Sequence, residues 1–216
     1  MHLNIYQYHS NPEELIGSDK VIFTKDRNSG NTDLPKELKR KLENGTLDTS
    51  EQILIGNLSL KTQKNIAELP DNLTVNGHLN ITQSRITKLP DGLTVNGDVM
   101  CGLIDKIGNN VTINGDLKID YTSYRLQQNG FQSHFEIHER SIYPLSIGNN
   151  VTIKGKIDGD FLRNAGGQYI VDIGDNFTVG DIDMSMRLKE IPKNFKKGGD
   201  PIQWDKKDEY GRYKYL

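Results

Sequence analysis

Leu69-Pro70-Asp71-Asn72-Leu73-Thr74-Val75-Asn76-Gly77 returns twenty residues later as Leu89-Pro90-Asp91-Gly92-Leu93-Thr94-Val95-Asn96-Gly97. The phrase drifts into Ile107-Gly108-Asn109-Asn110-Val111-Thr112-Ile113-Asn114-Gly115 and Ile147-Gly148-Asn149-Asn150-Val151-Thr152-Ile153-Lys154-Gly155. A fainter copy runs Ile173-Gly174-Asp175-Asn176-Phe177-Thr178-Val179-Gly180. Self-similarity at a fixed period near twenty residues is the signature of a solenoid, in which each repeat is one coil stacked on its neighbours. A first coil aligns as Ile53-Leu54-Ile55-Gly56-Asn57-Leu58-Ser59-Leu60, so glycines recur at 56, 77, 97, 115, 155 and 180. The gap of 40 from Gly115 to Gly155 is two periods, and the reading places a degenerate coil there, with Ser133-His134-Phe135-Glu136-Ile137 in the strand position. A truncated last copy is Ile191-Pro192-Lys193-Asn194-Phe195, for about seven rungs in all.

Within a rung, Leu73-x-Val75-x-Gly77-x-Leu79-x-Ile81 alternates with the period of a strand that has one buried face. Leu73, Val75, Leu79 and Ile81 point inward, and Thr74, Asn76, His78 and Asn80 point outward. Gly77 shares the inward parity between two large residues, which predicts a bend or bulge that lets the strand follow the coil. Asn72, Asn110, Asn150 and Asn176 precede the strand, and Gly92 replaces them once. Asn/Gly exchange marks a left-handed backbone position. The predicted fold is mainly β: a parallel β-solenoid.

The flanks read differently. Residues 1–50 are not repetitive and predict a small α/β N-terminal cap. Lys20-Val21-Ile22-Phe23 fits a short strand. Asp33 caps a helix through Leu34, Leu38 and Leu42, and Gly45 stops it. The repeats occupy 51–199, with an aromatic-rich insertion at 121–146. Residues 200–216, which hold Trp204, form a C-terminal cap or a binding tail, since a bare solenoid end exposes its apolar interior.

Net charge is −2, which gives no whole-chain signal for nucleic acid or an anionic membrane. The charge is uneven: Asp98–Asp183 carries 12 acidic and 7 basic residues, a net −5, against 9 basic and 5 acidic in Arg187–Leu216, a net +4. A single cysteine, Cys101, excludes an internal disulfide framework and fits a reducing compartment. Its inward parity makes it a buried thiol. No secretory leader is read at Met1-His2-Leu3-Asn4-Ile5-Tyr6, and no apolar run approaches the ~20 residues of a membrane span.

Leu79-x-Ile81-x-x-Ser84-x-Ile86-x-x-Leu89-Pro90 resembles the short leucine-rich repeats of bacterial secreted effectors. It is also similar to the leucine-rich-repeat-like arrays of bacteriophage open reading frames, which share the Thr-Val-Asn-Gly strand extension. The likeness covers roughly Gln52–Phe195. It departs at Ser84, which stands where those repeats carry a buried Asn, and in uneven rung lengths. The resemblance implies a macromolecule-binding surface and no catalytic residues or cofactor.

Two outward columns follow from stacking: His78, Asp98, Asp116, His134, Lys156, Asp181, and Asn80, Met100, Lys118, Glu136, Asp158, Asp183. Neighbouring rungs sit ~4.8 Å apart. Carboxylates such as Asp98 and Asp116 would then crowd each other, which costs stability; the columns read either as a solvated sheet face with interspersed Lys or as a docking face for a basic partner. His134-Phe135-Glu136-Ile137-His138 places its two histidines too far apart for one ion, so no metal is assigned. The insertion adds Tyr121, Tyr124, Phe131, Phe135 and Tyr143, either as contact anchors or as a plug for a widened rung. His134 and Glu136, where face and insertion meet, are the expected centre of contact.

The expected function is a non-catalytic protein-binding solenoid, a phage-encoded inhibitor acting in the host cytoplasm. Its partner would be a host protein, with nucleic-acid-binding defence proteins the natural candidates. Direct nucleic-acid or membrane binding is not expected. Two alternatives stand beside it: a structural or tail-associated virion component, and an enzyme with a site between the N-terminal cap and the insertion, where His9, Glu13 and Glu14 are the available groups.

Overall fold

Asn76-Gly77 bends the alternating stretch, so each early rung lays down two short strands instead of one. A computed structural model describes residues 21–23, 36–47, 53–102, 104–119, 143–159, 168–183, 188 and 190–201. The first strands of successive rungs are β1 (Val21–Phe23), β2 (Ile53–Ile55), β4 (Thr74–Val75), β7 (Thr94–Val95) and β10 (Thr112–Ile113). The second strands are β3 (Leu58–Ser59), β5 (Leu79–Ile81), β8 (Val99–Cys101) and β11 (Leu117–Ile119). In the next two rungs the bend straightens, and β13 (Thr152–Asp158) and β15 (Thr178–Asp183) run through both positions. All these strands belong to one sheet and pair in parallel, with Val75, Val95, Ile113, Ile153 and Val179 in register. A second parallel sheet holds the third side of each rung: β6 (Lys88–Leu89), β9 (Lys106–Ile107), β12 (Tyr143–Ile147) and β14 (Gln168–Ile173). The result is a parallel β-solenoid that is not closed into a barrel.

The alternation translates directly into burial. Leu73, Val75, Leu79, Ile81, Ile86 and Leu89 are all buried, and one continuous core threads the stack from Leu38 to Phe195. Ser84 is buried as well; its hydroxyl donates to the Ile81 carbonyl (2.7 Å) and accepts from the Ile86 N–H (3.2 Å). It therefore closes the turn between second and third sides using its own backbone neighbours. The left-handed positions are confirmed: φ is 60° at Asn72, 71° at Gly92, 55° at Asn110, 57° at Asn150, 61° at Asn176 and 56° at Asn194.

At the N-terminal end β1 extends the first sheet by pairing with β2, and helix α1 (Lys36–Glu43) adds Leu38 and Leu42 to the core. Asp33 and Leu34 lie outside the described residues. At the other end β16 (Lys196–Lys197) pairs with β15, then turns back through Gly198-Gly199 into the antiparallel strand β17 (Asp200–Pro201). Pro201 lacks an N–H, so it blunts the edge it occupies.

The structure corrects the sequence reading between Gly115 and Gly155. No rung intervenes: Thr112 pairs with Thr152, Leu117 with Ile157 and Lys118 with Asp158. The chain leaves the second side after Ile119 and re-enters on the third side at Tyr143. Tyr143–Ile147 is thus a side of the rung itself, and the intervening residues 120–142 replace the short link that other rungs carry there.

Candidate partner-binding face

The residue after each corner glycine points outward, yet it is not idle. Asn57 Oδ1 accepts the His78 N–H (2.9 Å), and His78 Nδ1 accepts the Asp98 N–H (2.9 Å). Asp98 Oδ1 accepts the Asp116 N–H (2.9 Å), and Asp116 Oδ1 accepts the Lys156 N–H (2.9 Å). Each rung's side chain thereby satisfies a backbone donor of the next, at a corner where the ladder of strand hydrogen bonds is interrupted.

The opposite corner repeats the device. Asp71 accepts the Asp91 N–H (3.0 Å), Asp91 the Asn109 N–H (3.1 Å), Asn109 the Asn149 N–H (2.9 Å), Asn149 the Asp175 N–H (2.8 Å) and Asp175 the Lys193 N–H (3.0 Å). Beside it the left-handed asparagines form an amide ladder, Asn150 to Asn110 (3.0 Å), Asn176 to Asn150 (2.8 Å) and Asn194 to Asn176 (2.8 Å).

The expected clash between Asp98 and Asp116 does not arise. Lys118 Nζ sits 3.1 Å from Asp98 Oδ2 and 3.6 Å from Asp116 Oδ2, and the inner carboxylate oxygens are occupied by backbone donors. The Asp116 N–H, seconded by Lys118, holds the Asp98 carboxyl below the usual carboxylate range. Asp98 in turn raises the Lys118 ammonium. Asp181 is lowered by Lys197 at 2.8 Å and by the Ile182 N–H, and Asp91 by the Asn109 backbone and side-chain amides.

These shifts fix a pH dependence. A carboxyl with a depressed folded pKa contributes stability above its unfolded pKa, and that contribution is lost as pH falls through the folded value. Acidification below about pH 4 should therefore weaken the stack progressively. Asp98→Asn keeps an acceptor for the Asp116 N–H but removes the titrating charge. Its acid unfolding curve, followed by circular dichroism, should fall less steeply than that of the parent; an unchanged slope would mean Asp98 contributes nothing to the acid limb.

Of the candidate residues, His78, Asp98, Asp116 and Asp181 occupy the first outward column with Lys156. Lys118, Asp158 and, by backbone register, Asp183 form the second with Asn80 and Met100. His134 and Glu136 do not stand in these columns: Asp116 bonds directly to Lys156 and Lys118 registers directly with Asp158, so the slots assigned to them are absent. His134, Glu136, Tyr121, Tyr124 and Phe131 themselves lie outside the described residues. The sequence reading missed the corner role of Asn57, Asp71, Asp91, Asn109, Asn149 and Asp175. At the second corner the signal was available, since Asp71, Asp91, Asn109, Asn149 and Asp175 all bear an acceptor oxygen; the column of Asn57 is more mixed and also holds His78 and Lys156.

Among the described residues, no group of three His, Cys, Asp or Glu side chains could hold a metal ion. Cys101 is buried on the core side. A cleft of about 620 Å³ between α1 and the first rungs is bordered by Lys41, Glu43, Glu68, Asp71 and Lys88, with no histidine or cysteine in its lining. No described helix is long and apolar enough to cross a membrane. Comparison with protein-family models, with curated proteins and with solved structures returns no match.

Proposed function

We propose that this chain is a non-catalytic binding protein whose partner seats on the outward face of β5, β8, β11, β13 and β15. The observation that supports this reading most is the position of the 120–142 connection. It joins the stack at the rung that carries Asp116 and Lys118, near the middle of that face. A rigid ladder presents its groups at little entropic cost, and the aromatics Tyr121, Tyr124, Phe131 and Phe135, which follow Ile119 in sequence, are of the kind that anchor contacts. The outward carboxylates, though engaged in part by Lys118 and Lys197, present negative charge that fits a basic protein surface. The groove of a host nucleic-acid-binding defence protein is one such surface, which keeps the reading of a phage-encoded inhibitor acting in the host cytoplasm.

The lysine interleaved between Asp98 and Asp116 narrows that partner: a face of mixed charge selects a surface with an acidic group among basic ones. A virion spacer role is less favoured, because the β16–β17 reversal and Pro201 oppose end-to-end continuation of the sheet. An enzymatic role is less favoured, because the cleft near α1 is lined by no histidine or cysteine.

The test is affinity capture with the parent chain and with Asp158→Lys, which reverses one charge on the second column. A specific host protein recovered by the parent should bind the variant at least ~10-fold more weakly, a loss of about 1.4 kcal/mol. Asp158 is half-buried on an outward strand position, so thermal unfolding should shift by much less than binding. Equal recovery by both chains would place the contact elsewhere.

A further inference from the structure

Three Asn-Gly pairs stand at equivalent corners: Asn76-Gly77, Asn96-Gly97 and Asn114-Gly115. An asparagine followed by glycine is the backbone context most open to spontaneous deamidation, because no side chain shields the glycine nitrogen. The Gly nitrogen attacks Cγ of the asparagine, a N–Cγ bond forms, the Cγ–Nδ2 bond breaks, and the N–H proton departs with the amide nitrogen as ammonia. Water then opens the cyclic imide on either side, leaving aspartate or isoaspartate. No oxidant or reductant is required.

The stack treats the three pairs unequally. At Asn96-Gly97 the attacking nitrogen is held: the Gly97 N–H donates to the Gly77 carbonyl (2.9 Å), while Asn96 Nδ2 donates to Asn76 Oδ1 and Asn96 Oδ1 accepts from Asn114. At Asn114-Gly115 the Gly115 N–H donates to the Gly97 carbonyl (3.1 Å), and Asn114 Nδ2 donates to Asn96 Oδ1 (2.6 Å). At Asn76-Gly77 neither reacting nitrogen has a partner among the described residues; Asn76 engages only through its Oδ1, which accepts from Asn96. Exposure does not distinguish Asn76 from Asn96, which are both exposed, whereas Asn114 is half-buried.

We infer that Asn76 is a selective deamidation site of the folded protein, and that stacking protects Asn96 and Asn114. The aspartate product at this position keeps an acceptor for the Asn96 amide and adds one negative charge to the outer surface. The isoaspartate product lengthens the backbone by one methylene in a rung whose register is set by both neighbours, so it should loosen the second rung.

Incubation of the intact chain at mildly alkaline pH, followed by peptide mapping for the mass gain of deamidation and for isoaspartate, tests this. Asn76 should convert several-fold faster than Asn96 and Asn114 in buffer, and the three rates should converge in urea. Equal rates in buffer would overturn the inference. So would a stable Asn76 over a period in which the urea sample converts. An Asn76→Gln variant serves as the assignment control, because a glutamine closes the corresponding six-membered imide far more slowly, so the fast-appearing product must then vanish from the map while conversion at the other two sites stays slow.

Discussion

Gly155→Ala should cost at least the upper end of the ~1–3 kcal/mol seen for overpacking, read as a fall in the urea midpoint at constant slope. A Cβ at Gly155 would run into Asp116 Oδ1 and lie 2.6 Å from the Gly115 carbonyl oxygen and 2.7 Å from its carbon. The first obstacle is a side chain already fixed by the Lys156 N–H, and the second is backbone that receives the Gly155 N–H at 3.0 Å. Neither can retreat without opening the contact between the two rungs. Removing Asp116 in the same chain should not rescue the variant, because the carbonyl remains. Gly102→Ala is the matched control: no atom lies within 4 Å of its would-be Cβ, and its midpoint should stay close to that of the parent. Similar losses for the two alanines would remove close stacking as the reason for the glycine column.

Phe177→Ala is expected to cost ~3–5 kcal/mol, with its effect confined to one end. Phe177 is fully buried where earlier rungs place Leu73, Leu93, Val111 and Val151. Its ring lies 4.9 Å from that of Phe195, tilted by 39°, and the pair closes the last described levels of the core. A solenoid's stability is close to a sum over rungs and their nearest-neighbour contacts, so damage at the end need not travel. Hydrogen exchange should accelerate at the Thr178, Lys196 and Gly198 amides, which bond to Val151, Phe177 and Val179, while Thr94 and Thr112 keep their protection. Uniform acceleration would show that the stack unfolds as a single unit.

Much of this architecture is legible in the repeats because side-chain alternation and backbone handedness act locally. Val75, Val95 and Ile113 had to face one core, and Asn72, Gly92 and Asn110 had to share one backbone conformation; the register and the φ values bear both out. The supposed rung at His134 was misread because periodicity counts residues, whereas stacking counts levels. Extending a link costs only slowly growing loop-closure entropy, so a connection can double the spacing of two glycines without separating their rungs. The candidate face was half legible. Asp98, Asp116, Lys118 and Asp158 share it as expected. Their charges overstated its acidity, however, because sequence does not reveal that a carboxylate's inner oxygen is committed to the next rung's amide.

The side-chain ladders also have a direction. In the side-chain bonds of these ladders the earlier residue accepts and the later one donates: Asn57 from His78, Asp98 from Asp116, Asn110 from Asn150, Asp175 from Lys193. A ribosome delivers the chain N-terminus first. Every side-chain acceptor of these ladders is therefore in place before the amide that will use it has been made, and each finished level is a template for the one still being synthesised. Such a molecule need not wait for its last residue to begin acquiring its form; it can be laid down course by course, in the order in which it is translated.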